Sequence, residues 1–345
     1  MFIPIKLESK SSVNYGILRK ILAGDIGGTK SNLALFEYQG EQFRVLKEVR
    51  FKTKDYNNVQ SMISSFLEED EQPDAISLGV AGPVIDGTVS ITNLSWGMSV
   101  KDISLAYQGV SVFLINDLEA TSYGLALLKP NDVITVYESQ KPMPGNIALI
   151  APGTGLGESG LYFDGAGYHP FATEGGHCGF APRTLLDTEL FFYLSKQLGH
   201  VSWERVVSGK GIEAIFDFLS TLKKREIPAL LQEAIERDNK AKVITSHAAM
   251  YDICGETVEI FLRYLAIESS NLALKMKATS GVFIGGGIIP NILETIDFNK
   301  FLENFRDCGR MRGLLEDVPV KIILNERTAL LGAAYYGACQ SISVT

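Results

Sequence analysis

The sequence is poor in the residues that build metal sites and disulfide frameworks. Its 345 residues include four histidines and four cysteines, at positions 178, 254, 308 and 339, and no two cysteines form a C-x-x-C pair. A structural zinc site needs about four ligands at suitable spacing, so neither a zinc motif nor a redox motif is expected. The scattered cysteines predict reduced thiols in a cytoplasmic protein.

Long apolar runs and an excess of positive charge are also missing. No stretch approaches the ~18 uninterrupted apolar residues of a membrane span, and residues 1–20 lack the apolar segment of a secretory signal. The net charge of −8 and the pI near 5.2 argue against a broad nucleic-acid surface. An anionic small molecule held in a local site remains compatible with this charge.

Strand-like and helix-like segments alternate along the chain, which is typical of an α/β protein of roughly two domains. The first cycle predicts strands at residues 21–23, 32–38, 44–51, 75–80 and 110–115, a hairpin at 84–91, and helices at 59–68 and 117–128. The second cycle predicts strands at 147–151, 160–163, 281–284 and 320–324, mostly helix over 184–277, and a helix at 329–339. A strand–glycine-turn–strand unit opens each cycle, which suggests duplicated half-domains.

The turn at residues 25–31 (Asp-Ile-Gly-Gly-Thr-Lys-Ser) separates two apolar runs. Adjacent glycines allow a tight turn whose N–H groups can surround a phosphate. The candidate phosphate-binding residues are therefore Asp25, Gly27, Gly28, Thr29 and Lys30. The P-loop pattern is absent because Thr29 separates Gly28 from Lys30. An ordinary hairpin turn is the alternative.

Two further glycine turns follow buried strands. Gly153, Thr154 and Gly155 follow the strand at 147–151. Gly155, Gly157 and Gly160 match the G-x-G-x-x-G spacing, which suggests a dinucleotide site. We reject that interpretation because a strand-like segment, not a helix, follows the third glycine. A second phosphate turn fits better.

The third turn, Gly285, Gly286 and Gly287, ends the strand at 281–284. Its glycines would let a flat ring lie against the backbone, and a helix N-terminus following them would favour phosphate. A tight strand–helix turn is the alternative.

Several polar residues are candidates for acid–base or hydroxyl-binding roles. Asn116 and Asp117 follow the strand at 110–115, where Asp117 could accept a proton or simply cap a helix. Glu174 and His177 flank two glycines and could bind neighbouring hydroxyls of one polyol, or belong to a polar loop. Glu204, taken alone, is typical of a first helical turn.

Taken in order, these segments resemble the bacterial-type glucokinase family over roughly residues 22–337. Residues 25–29 and 151–157 resemble its two phosphate motifs, and residues 283–288 resemble its adenosine motif. The sugar-site blocks of the family are similar to residues 92–96, 115–117, 174–177 and 199–209.

The resemblance implies an actin-like, hexokinase-type ATPase fold (ribonuclease H-like, α/β, with duplicated half-domains) whose two lobes close on the substrate. The lobes would be a small α/β lobe at residues 21–127 plus 326–345 and a large α+β lobe at 128–325, after an extension at 1–20. Cytoplasmic, ATP- and Mg²⁺-dependent phosphorylation of glucose at its 6-hydroxyl is implied, as the entry to glycolysis, with a homodimer as the common assembly.

The resemblance also assigns roles to single residues. Asp117 would be the general base and would also contact the sugar, and Asp25 would order Mg²⁺ directly or through water. The remaining sugar-binding residues would be Asn93, Asn116, Glu174, His177 and Glu204.

Alternative functions remain open from the sequence. The ROK sugar kinases and repressors share the D-x-G-G-T turn and the E-x-G-H block, but their C-x-C-G-x-x-G-C zinc motif is missing here, where Cys178 stands alone. The chain could phosphorylate another sugar, such as mannose or an N-acetylhexosamine, and could use polyphosphate in place of ATP. A sugar-responsive regulator is a further candidate, but 20 residues before the first strand are too few for a helix-turn-helix domain.

Overall fold

The computed structural model describes residues 2–6, 18–39, 42–69, 71–91 and 94–341. The chain divides into two compact units. Unit 1 comprises Met1–Asp132, Ala166–Ala172 and Asn325–Thr345, and unit 2 comprises Val133–Gly165 and Thr173–Leu324. Each unit has its own sheet and its own apolar core.

The strands are β1 (Arg19–Ile26), β2 (Lys30–Gln39), β3 (Gln42–Lys52), β4 (Ala75–Val80), β5 (Thr88–Ser90), β6 (Gly97–Ser99), β7 (Ser111–Asn116), β8 (Val133–Tyr137), β9 (Ile147–Pro152), β10 (Leu156–Phe163), β11 (Tyr168–Thr173), β12 (Gly281–Ile284) and β13 (Val320–Ile323). The helices are α1 (Val59–Phe66), α2 (Val100–Ala106), α3 (Asp117–Gly124), α4 (Leu185–Leu198), α5 (Gly209–Thr221), α6 (Ala229–Arg237), α7 (Lys240–Ser246), α8 (Asp252–Met276), α9 (Ile289–Ile292), α10 (Phe298–Arg306), α11 (Arg312–Leu315) and α12 (Thr328–Ser341). Single 3₁₀ turns at Gly175–His177 and Trp203–Arg205 contain or adjoin candidate site residues.

The sheet of unit 1 has the order β3–β2–β1–β4–β7. β1 pairs antiparallel with β2, whereas β1, β4 and β7 run parallel. The register aligns Ile26 with Val80 and Val80 with Asn116, so the three parallel strands end at one edge of the sheet. Ligand-binding residues of open α/β sheets commonly lie at such an edge.

Unit 2 repeats this topology. Five strands of a six-stranded sheet follow the order β10–β9–β12–β13–β8. β9 is antiparallel to β10 and parallel to β12, β12 is parallel to β13, and β8 is antiparallel to β13. Each unit thus places an antiparallel glycine-turn hairpin beside further parallel strands. The prediction of duplicated half-domains in an α/β fold is confirmed.

The structure departs from the expected elements at a few places. α3 ends at Gly124, not at residue 128, because the next N–H groups bond three residues back: Leu125 to Ser122 and Leu127 to Gly124. β10 begins at Leu156, since its pairing with β9 starts directly at the turn. β8, β11 and α2 have short or irregular apolar patterns and were not expected. The helix expected after residue 287 is a single turn, α9.

Two glycines let α3 and α12 approach each other in unit 1. A Cβ added at Gly332 would overlap the carbonyl oxygen of Ala120, and one at Gly124 would overlap that of Thr328. Because neighbouring backbones occupy this space, larger residues cannot enter without moving a helix. The crossing therefore fixes the position of α3, whose first residue is Asp117.

We expect Gly332→Ala to lower the free energy of unfolding by about 1–3 kcal/mol, because overpacking outweighs the better helix propensity of alanine. Urea denaturation measures the change. Gly313→Ala is the matched control, since an added Cβ at this helical glycine would meet nothing within 4 Å. An unchanged midpoint for Gly332→Ala would show that the two helices separate at no cost.

Candidate active site

The β1–β2 turn of unit 1 is closed by its own backbone. The N–H of Gly27 donates to the carbonyl of Lys30 at 3.2 Å, so this glycine shapes the turn. Thr53, the residue after β3, stabilises the turn. Its hydroxyl donates to the Gly27 carbonyl at 2.7 Å, and its N–H donates to the Thr29 carbonyl at 3.1 Å. Gly28 is half-buried, and Thr29 and Lys30 are exposed at the tip.

Asp25 lies at the end of β1 and forms a hydrogen bond with the side chain of Asn32. Arg50 orients that amide, because its Nε donates to the Asn32 Oδ1 at 2.9 Å. Burial raises the pKa of the Asp25 carboxyl, an effect that the Asn32 bond and the charge of Arg50 partly offset. A poorly solvated carboxylate of this kind is a suitable cation ligand. Within the described residues, no cluster of three or more acidic, histidine or cysteine side chains could hold a metal by itself.

Asn116 and Asp117 take different positions at the start of α3. Asn116 is the N-cap, and its Oδ1 accepts from the N–H groups of Leu118 (2.9 Å) and Glu119 (3.3 Å). Its Nδ2 donates to the Gly82 carbonyl at 3.2 Å. Asp117 is the first helical residue, where the N-terminus of a helix favours negative charge. Asn116 is therefore the N-cap, and Asp117 shares in the capping, because its Oδ1 also accepts from the N–H of Leu118 at 2.9 Å.

The β9–β10 turn organises the candidate residues of unit 2. The N–H of Gly153 closes the turn by donating to the Gly155 carbonyl at 2.8 Å, and the Gly153 carbonyl accepts from Gly209, the first residue of α5, at 2.9 Å. The N–H of Leu156 donates to the Oε2 of Glu204 at 3.1 Å. A side chain at Gly155 would overlap that carboxylate. The glycine is therefore required for Glu204 to reach the backbone.

Glu174 directly precedes the 3₁₀ turn beside β10, and His177 is the last residue of that turn. Their side chains are 62% and 61% exposed, with 3.9 Å between the Glu174 Oε2 and the His177 Nε2. Gly176 lies against the Leu156 carbonyl, where any side chain would overlap it. The Cys178 carbonyl accepts from the N–H of Trp203 at 3.0 Å. Within unit 2, the structure therefore brings Glu174, His177 and Glu204 together around Leu156.

A cavity of about 630 Å³ opens beside the β9–β10 turn in unit 2. This volume lies within the usual range for small-molecule sites. Its polar lining combines the glycine turns with two lysines, one carboxylate, and amide and hydroxyl side chains: Gly153, Thr154, Gly209, Lys210, Glu213, Asn239, Lys242, Thr245, Ser246, Gly287 and Asn291. The N-terminus of α5 lies at this wall, with Ser208 as its cap. Helix N-termini of this kind bind anions.

The glycine turn after β12 reaches the cavity through Gly287. Gly285 is buried, and its N–H donates to the Ile150 carbonyl at 2.8 Å. Gly286 has a φ of +83°, and a Cβ added there would overlap the Pro152 carbonyl. Gly287 lines the cavity, and its carbonyl accepts from the Asn291 Nδ2 at 2.6 Å.

Sequence reasoning missed part of this wall. Lys210 and the N-terminus of α5 line the cavity, although Lys210, in the segment Ser-Gly-Lys-Gly at residues 208–211, was not among the candidate residues. The serine cap followed by a glycine and a lysine was the available signal. Asn93, a predicted sugar ligand, lies outside the described residues.

Further properties agree with the composition. Cys178, Cys254, Cys308 and Cys339 are all free thiols. None of the helices over the described ranges has both the length and the apolar character needed to cross a bilayer.

The fold matches that of known sugar kinases. A crystal structure of glucokinase from an Antarctic psychrotroph superposes with a TM-score of 0.78 at 29% identity, covering 93% of this chain and 99% of that one. A ROK family glucokinase from Streptomyces griseus, solved with glucose and AMPPNP, gives 0.64 at 20% identity, covering 92% and 99%. The chain therefore has the two-unit actin-like ATPase fold of sugar kinases.

The sequence comparisons define the family. The glucokinase family model matches residues 22–340. The curated glucokinase of Trichormus variabilis is 36% identical over 337 residues, which covers 92% of this chain and 98% of that protein. The chain belongs to the glucokinase family, an enzyme family, as its motifs indicated.

We expect adjacent glycines of the third turn to respond differently to substitution. Gly286→Ala should lower the free energy of unfolding by roughly 2 kcal/mol or more, because alanine is strained at this φ and overlaps the Pro152 backbone. Gly287→Ala should change it by less than about 1 kcal/mol, because an added Cβ there meets nothing within 4 Å. Chemical denaturation measures both, and equal losses would contradict the assigned role of Gly286.

Proposed function

We propose that this protein transfers the γ-phosphoryl group of ATP to the 6-hydroxyl of glucose, giving glucose 6-phosphate and ADP. One observation carries the proposal. The β9–β10 turn lines the cavity with Gly153 and Thr154, and the next residue pair, Gly155 and Leu156, receives the Glu204 carboxylate. A single turn in unit 2 thus adjoins both the candidate nucleotide pocket and the candidate sugar ligands.

The cavity of unit 2 suits the adenosine and phosphates of ATP. Gly287 leaves its part of the wall free of side chains, so that a flat ring can lie against the backbone of the turn that it shares with Gly285 and Gly286. Lys210 and the N-terminus of α5 supply positive charge for the phosphates. Thr154 and the turn of Gly285 complete this surface, and the Streptomyces griseus glucokinase binds an ATP analogue, AMPPNP.

Unit 1 contributes a second phosphate turn and the candidate Mg²⁺ ligand. Gly28, Thr29 and Lys30 offer donors at an exposed tip that Gly27 and Thr53 hold in shape. Asp25 fits Mg²⁺, because its carboxylate is poorly solvated and Mg²⁺ needs few protein ligands besides water and phosphate. When bound, the ion would neutralise charge on the phosphates.

The sugar is held by carboxylate, imidazole and amide groups. Glu174, His177 and Glu204 would bind hydroxyls from unit 2. Asn116 would offer its second amide N–H, since the first is bonded to Gly82, and Asn93 completes the assignment by resemblance. Such a set selects strongly, because a sugar lacking one hydroxyl leaves one of these polar groups unpaired in the complex.

Asp117 is the proposed general base. Its carboxylate would take the proton of the 6-hydroxyl as the oxygen forms its bond to the γ-phosphorus, while the bond to the β,γ-bridging oxygen breaks and ADP leaves. Positioning and charge neutralisation supply the rest of the rate enhancement. The resemblance adds that the two units are lobes closing on the substrate, that the protein is a cytoplasmic homodimer, and that its product enters glycolysis.

We expect Asp117→Asn to lower kcat by about 10²–10⁴-fold, because the amide cannot accept the proton. Glucose affinity, measured by calorimetry, should change little. Asp102→Asn is the control, because Asp102 also lies in the first turn of a helix of unit 1. Turnover like that of the wild type in the Asp117 variant would reject this residue as the base.

A panel of sugars tests the substrate assignment. With ATP and coupled detection of ADP, we expect kcat/KM to be highest for glucose, because the assigned ligands match its hydroxyls. A preference for mannose or an N-acetylhexosamine would replace glucose by that sugar. Turnover with polyphosphate but not with ATP would overturn the donor. Binding to genomic DNA fragments at physiological salt, with no turnover of any sugar, would favour the regulator.

A further inference from the structure

A buried carboxyl group forms the floor of the turn at residues 174–177. Glu158 lies on β10 and is 1% exposed. Its Oε2 lies so close to Gly175 that any side chain there would overlap it. The Thr173 hydroxyl gives a second link, because it donates to the Glu158 carbonyl at 2.9 Å and accepts from the N–H of Gly175 at 3.2 Å. The turn therefore rests directly on Glu158.

The Glu158 carboxyl is buried without polar partners. Neither of its carboxyl oxygens has a hydrogen-bond partner within the described part of the chain. Another carboxyl, Glu268 of α8, lies nearby and is 0% exposed. An ionised carboxylate in such surroundings is strongly unfavourable, because it loses water and gains no compensating donor.

The charges around Glu158 show where a proton resides. Glu268 accepts from the Asn271 Nδ2 at 2.7 Å and from the Lys275 Nζ at 3.1 Å, and these bonds stabilise its ionised form. Two carboxyls thus face one ammonium group, with Arg183 beyond Glu268. Cys178 is a further titratable group beside Lys275. Glu158 is the carboxyl without donors, so a proton held by this pair resides on Glu158.

The direction of the pKa shifts agrees with a proton on Glu158. Burial and the charge of Glu268 raise the pKa of Glu158 to about 8, although Lys275 offsets part of the effect. Burial also raises the pKa of Glu268, while its bonds to Asn271 and Lys275 act in the opposite sense. Glu158 is consequently protonated at neutral pH and ionises under mildly alkaline conditions.

We propose that Glu158 is a positioning residue whose protonated carboxyl supports the turn bearing Glu174 and His177, so that loss of this proton weakens sugar binding. The inference rests on the proposed function, because it concerns the same sugar ligands. Glu158 acts through Gly175 and Thr173 and has no part in the transfer of the phosphoryl group. Its ionisation should therefore affect affinity far more than the rate of the bound complex.

The test compares the pH dependence of the wild type and Glu158→Gln from about pH 6 to about pH 10, a range that spans a pKa of about 8. In the wild type we expect the KM for glucose to rise roughly tenfold, as when outer partners of binding residues are lost, with kcat within about twofold. Glutamine keeps the shape of the protonated acid and cannot ionise. Its KM should stay low across the range.

Two further variants give directional controls. Glu268→Gln removes the like charge, so the rise in KM should begin roughly one pH unit lower than in the wild type. Glu138→Gln alters a half-exposed carboxylate paired with Lys321 in the same unit and should keep the wild-type profile. The fluorescence of Trp203, the residue before Glu204, offers a binding signal that is independent of turnover.

Unfolding provides a second readout of the proton. Between the ordinary pKa of 4.5 and the folded value of about 8, the unfolded chain has released the proton that folded Glu158 retains. Wild-type stability therefore falls as the pH rises through this window. Glu158→Gln lacks this contribution, so its free energy of unfolding should increase relative to wild type between these two pH values. The measurement needs no substrate.

The outcomes separate the two proposals. A wild type that phosphorylates no sugar rejects the proposed function, whatever the unfolding data show. An active wild type whose alkaline rise in KM persists in Glu158→Gln overturns the role of Glu158. If Glu158→Gln does not fold, an unshifted midpoint in Glu268→Gln has the same consequence.

Discussion

The hydrogen bond from the Leu156 N–H to Glu204 is the contact on which the candidate site of unit 2 depends. It fixes a carboxylate from a segment 48 residues further along the chain onto the β9–β10 turn. The carbonyl of the same residue, Leu156, lies against Gly176 and so fixes the position of the turn that bears Glu174 and His177. One residue in an ordinary strand thereby sets the spacing of three polar side chains.

The sequence was most informative where physical signals were local. Continuous apolar runs correctly predicted β4 and β12. The hairpin expected at residues 84–91 has its turn at Asp86 and Gly87, which both have positive φ and lie between the bridged residues Ile85 and Thr88. The glycine turns were found for the same reason, since adjacent glycines signal a backbone requirement within a few residues. These features were enough to set the order of the candidate motifs, and the family resemblance of that order implied the fold.

Other features depend on contacts between distant segments and could not be predicted in this way. α3 ends early at Gly124, which packs against Thr328 more than 200 residues away. Lys210 lines a wall whose other members come from three separate parts of unit 2. The isolation of Glu158 is visible only when β10 and α8 are in place, because a glutamate on a strand would ordinarily be expected to face water. Periodicity shows which face is apolar but not what lies opposite.

The close crossing of α3 and α12 has a consequence for biosynthesis. The sheet of unit 1 is made early, yet α12, which fills the space beside β1 and α3, leaves the ribosome only after all of unit 2. At ~5–20 residues per second, the wait is on the order of ten seconds or more. During that time Ala23, Ala34 and Phe36, which α12 covers in the finished protein, lack their partner. The nascent N-terminal half consequently keeps this apolar surface uncovered during synthesis, whereas unit 2 can complete its core first.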